Sequence, residues 1–350
     1  MREPAFWWRP RTGALLTPLS ALYGAVAALR LHSAGSRVGI PVICLGNLTV
    51  GGAGKTPAAL AVAQFLHGAH ERPFFLSRGY GGRLAGPIRV DPELHRAADV
   101  GDEPMLLARI APTIIARDRV AGAKFARFAG ANVIVMDDGF QNPSLAKDLS
   151  ILLVDGRRGI GNAHMIPAGP MRAPLSLQLN RARALIVVGA PDGARGVLDR
   201  ASRRGISIFH GRLEPDRAVL TAIGRRKVLA FAGIADPKKF FITLGAAGIE
   251  IGDRAAFPDH HHYNVAEAQD LIARAQAKNL MLVTTEKDHM RLSGEPGLER
   301  LAARANALPV RLVIEEEDRL RQILLSVVAR EPKPHPRTPR LGMNDQFFRP

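Results

Sequence analysis

Val42-Ile43-Cys44-Leu45-Gly46-Asn47-Leu48-Thr49-Val50-Gly51-Gly52-Ala53-Gly54-Lys55-Thr56-Pro57 decides the fold of this 350-residue chain. An apolar run, a glycine-rich turn and an Ala/Leu-rich stretch predict a buried strand, a loop and a helix in succession. In that arrangement the backbone N–H groups from Thr49 and Val50 through Gly51, Gly52, Ala53 and Gly54 to Lys55 and Thr56 surround one small volume. Such a nest at the positive end of a helix holds a polyphosphate. Lys55 would reach the β/γ-phosphates, and the Thr56 hydroxyl would sit on Mg²⁺. Thr49 replaces the first glycine of the strict Walker pattern, while the Gly-Gly-Ala-Gly-Lys-Thr core survives. A bare Gly-Gly is usually only a turn. Gly-Lys-Thr between a strand and a helix is much rarer, and it predicts nucleoside triphosphate binding.

Downstream, strand-like and helix-like segments alternate. Phe74-Phe75-Leu76 reads as a strand ending in Ser77-Arg78-Gly79-Tyr80-Gly81-Gly82, at the edge where open α/β sheets bind ligands. Ala131-Asn132-Val133-Ile134-Val135-Met136 is a buried strand ending in Asp137-Asp138. A carboxylate delivered by an apolar strand beside a P-loop is the Walker B arrangement, so Asp137 and Asp138 are candidate Mg²⁺ ligands. Paired aspartates after a strand also serve as helix caps. Further strands are expected at 151–154 and 185–188. The fold class is α/β, a parallel sheet of the P-loop NTPase type with helices on both faces.

Composition and charge narrow the partners. The apolar fraction is 47% and the net charge +16, which favours anionic partners such as a phosphorylated substrate or an anionic bilayer. Nucleic acid is not expected, because aromatics are only 5% and no recognition helix or stacking platform is legible. Cys44 is the only cysteine, so no intramolecular disulfide forms. Gly13 to Leu29 has no charge, and Leu15, Leu19, Leu22, Val26 and Leu29 recur at helical spacing. Arg9, Arg11 and Arg30 flank it, and Trp7 and Trp8 lie just upstream. The run is short for a span and holds Pro18, so it predicts a helix lying in the membrane interface. A helix packed on the domain is the alternative. A cleaved signal peptide fits poorly with a nucleotide site directly behind it.

Four segments follow: an interfacial helix over 1–32, a P-loop domain over 33–215, a second smaller α/β domain over 216–330, and a mobile tail over 331–350. Strands at 228–231, 280–283 and 310–314 are assigned to the second domain.

An ordered set of motifs resembles the tetraacyldisaccharide 4′-kinase (lipid A 4′-kinase) family. It comprises Gly46 to Pro57, Leu76 to Gly82, Val100-Gly101-Asp102-Glu103-Pro104, Asp137-Asp138-Gly139-Phe140-Gln141 and Pro167-Ala168-Gly169-Pro170-Met171-Arg172. In the second unit it continues with Phe231 to Ala235, Phe257-Pro258-Asp259-His260 and Thr284-Thr285-Glu286-Lys287-Asp288. The resemblance implies two α/β/α domains, a membrane-associating helix and a location at the inner leaflet of the inner membrane. It further implies Mg²⁺-dependent transfer of the γ-phosphate of ATP to the 4′-hydroxyl of a tetraacyl disaccharide 1-phosphate, a lipid A precursor. Lys55 keeps its phosphate role, Asp102 corresponds to the family's catalytic base and His260 to its partner from the second domain. His260-His261-His262 alone would suggest a metal site, but adjacent histidines rarely point at one ion.

Two positions depart from the family pattern. Ala173 follows Arg172 where a Glu is common, and Asn142 stands where a His is common. A membrane-recruited P-loop ATPase would need a further lysine where Val50 stands. A GTPase-like switch would need an Asn-Lys-x-Asp that Thr284 to Asp288 only partly imitates.

Overall fold

The computed structural model describes residues 3–9, 13–32 and 34–329; the expected tail, 331–350, lies outside them. Its strands are β1 (Val42–Asn47), β2 (Pro73–Ser77), β3 (Ile88–Arg89), β4 (Thr113–Ile115), β5 (Val133–Asp137), β6 (Leu149–Asp155), β7 (Ala184–Val188), β8 (Ser207–Pro215), β9 (Val228–Ala232), β10 (Ile251–Ala256), β11 (Met281–Thr285), β12 (Asn306–Leu308) and β13 (Val310–Ile314). A nine-stranded sheet runs β13-β8-β7-β6-β1-β5-β2-β4-β3, and a four-stranded sheet runs β10-β9-β11-β12. Only the edge strands β3 and β13 of the large sheet are antiparallel to their neighbours.

The central strands are apolar throughout because both faces are covered, as parallel sheets require. In β1, Val42 and Cys44 enter one core cluster while Ile43 and Leu45 enter the other. The helix Lys55–Gly68 lays Ala58, Ala59, Val62, Ala63 and Leu66 on the second face. On the first face, Ala123 and Ala126 of the helix Arg119–Phe128 do the same. Each fully buried leucine or isoleucine contributes about 1.5–3 kcal/mol, so this two-sided core fixes the carboxyl ends of β1, β5 and β2 at one edge. The small sheet repeats the pattern, with Leu229 and Phe231 on one side and Val228, Ala230 and Ala232 on the other.

One strand assignment is corrected. Val310–Ile314 does not belong to the small sheet: it pairs antiparallel with β8, with Val310 opposite Pro215. Leu312, Ile314 and, from the helix Glu317–Val328, Leu320, Leu324, Val327 and Val328 complete the apolar cluster over the P-loop helix. An apolar alternation predicts a strand but not its neighbour, and the open edge of β8 is available for pairing. The segment from 310 to 329 therefore packs with the large body, short of the boundary expected at 330.

The N-terminal helix spans Thr17–His32. Ser20 donates to the Met165 carbonyl at 2.7 Å and accepts from the Ala168 N–H at 3.0 Å. Gly24 lies so close to Met165 that a Cβ there would overlap its side chain. Opposite this docked face, Leu19, Leu22, Val26 and Leu29 are exposed, as is Leu15 in the 3-10 turn Ala14–Leu16 just before the helix. No helix among the described residues is long and apolar enough to cross a membrane. The tryptophans are used differently from the expectation: Trp7 is buried and donates to the Pro167 carbonyl at 2.9 Å. Trp8 donates to Glu3 at 3.0 Å beneath the Arg158 guanidinium.

Candidate active site

A cavity of about 1070 Å³ opens between the two bodies, with Gly51, Gly52, Gly54, Lys55 and Thr56 on one wall. Gly51 and Gly54 take φ of +103° and +91°, a left-handed conformation that side chains resist. The loop is anchored by Asn47, whose Nδ2 donates to the Gly51 carbonyl at 2.7 Å, and by a Val50 N–H bond to the Pro170 carbonyl at 2.8 Å. The following helix has no side-chain cap at its N-terminus, so its first N–H groups remain open to an anion.

The two aspartates at the end of β5 differ sharply. Asp137 is buried, and neither carboxylate oxygen has a hydrogen-bond partner; the Thr56 hydroxyl is likewise buried and unpartnered. Burial pushes the Asp137 carboxyl up to about 7, with Glu103 adding to the effect and Lys55 opposing it. Asp138 sits at φ +49°, in the left-handed region that few side chains adopt. Arg172 grips it through Nη1 at 2.7 Å and Nη2 at 3.2 Å, and Lys55 Nζ lies at 3.5 Å. Burial works against its ionisation, but the Lys55 and Arg172 charges hold its carboxyl well below the usual range. Orphaned buried oxygens cost free energy unless a ligand meets them. Thr56 and Asp137 thus fit a hard cation that takes few protein oxygens and several waters.

Asp102 opens the helix Asp102–Ala108 of the large body, and His260, which lines the cavity, follows β10 in the loop of the small body. His260 Nδ1 lies 3.6 Å from Asp102 Oδ1, a close charge pair longer than a hydrogen bond. Asp102 is buried, whereas the His260 ring reaches the cavity and meets Tyr80 edge-on at 5.0 Å. Burial opposes ionisation of Asp102, yet His260, Arg291 and Lys287 hold its carboxyl far below the usual range. The same pairing raises His260, against the opposing effect of burial.

The histidine run does not converge. His261 bonds Glu267 at 2.9 Å and stacks on Phe257, and no cluster of His, Cys, Asp and Glu among the described residues could hold a metal by itself. Ala173, the departure beside Arg172, lies in the apolar core, while Asn142 lines the cavity. Sequence reasoning missed Arg291 as a partner of Asp102 and Lys287 as a partner of Glu103. The only signal was the motif Thr284 to Asp288, which contains Lys287 and stops a turn short of Arg291. It also missed Glu3, which lies against Gly51 of the loop.

The family model described as tetraacyldisaccharide-1-P 4′-kinase matches residues 12–329. A tetraacyldisaccharide 4′-kinase of Rhodopseudomonas palustris (strain BisB5) is 52% identical over 327 residues, covering 93% of this chain and 96% of the relative. One from Bradyrhizobium sp. (strain BTAi1) is 50% identical over 326 residues, covering 93% and 94%. Among solved structures, LpxK from Aquifex aeolicus in complex with ATP is similar at a TM-score of 0.69 and 26% identity, over 90% of this chain and 99% of that one. With the match running through both bodies and every wall of the cleft, the chain belongs to the tetraacyldisaccharide-1-P 4′-kinase family.

Proposed function

We propose that the protein transfers the γ-phosphate of ATP to the 4′-hydroxyl of a tetraacyl disaccharide 1-phosphate in the cleft between the two bodies. The observation that bears most weight is the placement of the unpartnered Thr56 hydroxyl and Asp137 carboxylate beside Lys55, on the wall facing His260. A nucleotide-binding ATPase or GTPase-like switch has no use for the Asp102–His260 pair.

The loop from Thr49 to Gly54 cradles the phosphates through its N–H groups, and Lys55 supplies the fixed cation at the β/γ-phosphates. Thr56 and Asp137 are the residues that would hold Mg²⁺, which when bound neutralises charge on the triphosphate oxygens. Asp138 acts through its neighbours, orienting Lys55 and Arg172. In the transfer, the acceptor oxygen bonds to the γ-phosphorus as the bond to the β,γ-bridging oxygen breaks. ADP leaves, and the hydroxyl proton passes to the Asp102–His260 pair, with His260 on the cavity side. The pair's charges favour binding that proton late, as a loose transition state requires. The exposed leucine stripe of the N-terminal helix rests in the membrane interface and brings the cleft to acylated substrate at the cytoplasmic face of the inner membrane.

The test is transfer of radiolabel from γ-labelled ATP to a tetraacyl disaccharide 1-phosphate by the purified protein with Mg²⁺. Label in the disaccharide supports the reading; ATP hydrolysis without lipid labelling refutes it.

A further inference from the structure

The helix Glu286–Leu292 of the small body docks on the helix Asp102–Ala108 of the large one, with Met290 entering the apolar cluster of Val100, Met105, Leu106 and Ile115. Lys287 and Arg291, one turn apart on a shared face, meet consecutive acids of the other body. Lys287 Nζ lies 2.5 Å from Glu103 Oε1. Arg291 gives Asp102 Oδ2 two N–H bonds, from Nε at 2.9 Å and Nη2 at 2.6 Å.

The rest of the guanidinium is spent inside its own body. Nη1 donates to the Gly233 carbonyl and to Asp288 Oδ1, both at 2.8 Å. Asp288 is held in turn by the Gly233 N–H and the Tyr263 hydroxyl, each at 2.9 Å, and by Thr285 at 2.6 Å. The fork is therefore aimed before it reaches Asp102, and its planar geometry sets the carboxylate's rotation as a lysine cannot. With Oδ2 occupied, Oδ1 is left to face His260 and to accept the Glu103 N–H at 3.0 Å. A buried pair of this kind is expensive to assemble and expensive to break. Its two halves meet only when the bodies do.

We propose that Arg291 is a positioning residue for phosphoryl transfer: delivered by the small body as the cleft closes, it fixes Asp102 so that the Asp102–His260 pair is assembled only in the closed form, with Lys287 fixing Glu103 alongside. This rests on the kinase reading above. The charged and titratable groups around Asp102 are Arg291 and Lys287 on the docked helix, Glu295 just beyond it, Glu103 beside it, Tyr80 from the loop after β2, and His260 and His262 from the loop after β10, with Asp259 against His260. Removing Arg291 takes a cation from both members of the pair, so both titrate at higher pH.

The experiment compares the full chain with Arg291→Met, Arg291→Lys and Lys287→Met. A fluorescent pair is placed at Lys124→Cys and Arg300→Cys, exposed positions on the two bodies; the native Cys44 is buried. Arg291→Met should lower kcat about 100-fold, the low end of what a positioned proton acceptor contributes. Its ATP affinity should stay within about threefold of the parent, since Arg291 lies outside the phosphate loop. The acid limb of its kcat profile should move to higher pH, and the interbody distance should lengthen. Arg291→Lys, which keeps charge but not the fork, should restore the acid limb and leave kcat about tenfold low. Lys287→Met should lengthen the distance with a smaller loss of kcat. A kcat within threefold of the parent in Arg291→Met, or a loss with an unmoved acid limb, overturns the proposal. If Arg291→Met does not fold, full activity of Arg291→Lys overturns it. If the parent transfers no phosphate to the lipid, the kinase reading falls. The distance then decides alone, and an unchanged distance in the variants overturns the role of Arg291.

Discussion

Replacing Leu15 and Leu29 by serine tests the membrane-facing role of the N-terminal helix without touching the core. The two residues expose 97% and 75% of their surface, so neither packs against the protein and the melting temperature should not change. Burying a leucine fully stabilises by about 1.5–3 kcal/mol. Taking the lower figure and scaling by these exposures, the pair contributes about 2.5 kcal/mol to partitioning into an interface. That corresponds to on the order of 50–100-fold in the partition coefficient at about 1.4 kcal/mol per tenfold. The assay is co-sedimentation with large vesicles containing anionic lipid, at several lipid concentrations. Activity toward the acylated disaccharide should fall in parallel, while ATP affinity stays constant. A partition coefficient within twofold of the parent would refute the argument and leave the helix as a packing element alone.

The aspartate pair should separate by function. Asp137→Asn should raise the Mg²⁺ concentration needed for half-maximal rate and cut kcat on the order of 100-fold or more, whereas Asp138→Asn should chiefly raise KM for ATP; identical Mg²⁺ titrations for the two would undo the distinction. Asp102→Ala and His260→Ala should each reduce kcat about 100-fold or more, and the double variant should be little worse than the worse single one because the two act as a unit. His261→Ala, paired with Glu267, serves as the control, and a larger loss there than at His260 would mean the wrong histidine is assigned. Because His260 titrates above its ordinary 6.5 when it faces Asp102, its contribution to closure is fully present below about 6.5 and is lost as pH rises through the elevated value. An interbody distance independent of pH between 6 and 9, or one equally dependent in His260→Gln, would contradict this.

How much was legible follows from how local each feature is. The strand, glycine turn and helix from Val42 to Gly68 form one contiguous unit whose chemistry is mostly backbone, so sequence alone placed it. Asp137 and Asp138 were legible as a pair but not as a division of labour, because the positive φ at Asp138 and the reach of Arg172 are tertiary facts. Asp102 and His260 stood out only through family resemblance, since a lone acid and a lone histidine have no local signature. Arg291 and Lys287 were invisible as partners of Asp102 and Glu103, nearly two hundred positions away in the chain. Val310–Ile314 read correctly as a strand, but edge pairing is decided by which neighbour is free, not by the alternation of side chains. The tryptophans at 7 and 8 misled in the opposite direction, because indole N–H groups that could suit a membrane interface here have partners within the protein.

The pairing of Val310 with Pro215 also bears on biosynthesis. The nascent chain delivers the phosphate loop early, yet the edge strand and the helix Glu317–Val328 that cover the apolar back of Lys55–Gly68 leave the ribosome only after the whole 216–309 excursion. A chain halted near Pro215 would lack Leu312, Ile314, Leu320 and Leu324 from this cluster and leave that side of it uncovered, a surface for holdases and proteases. Because both ends of the excursion sit side by side, a short turn joining Pro215 to Val310 could replace it. Such a shortened chain would close the nucleotide half without waiting for its partner.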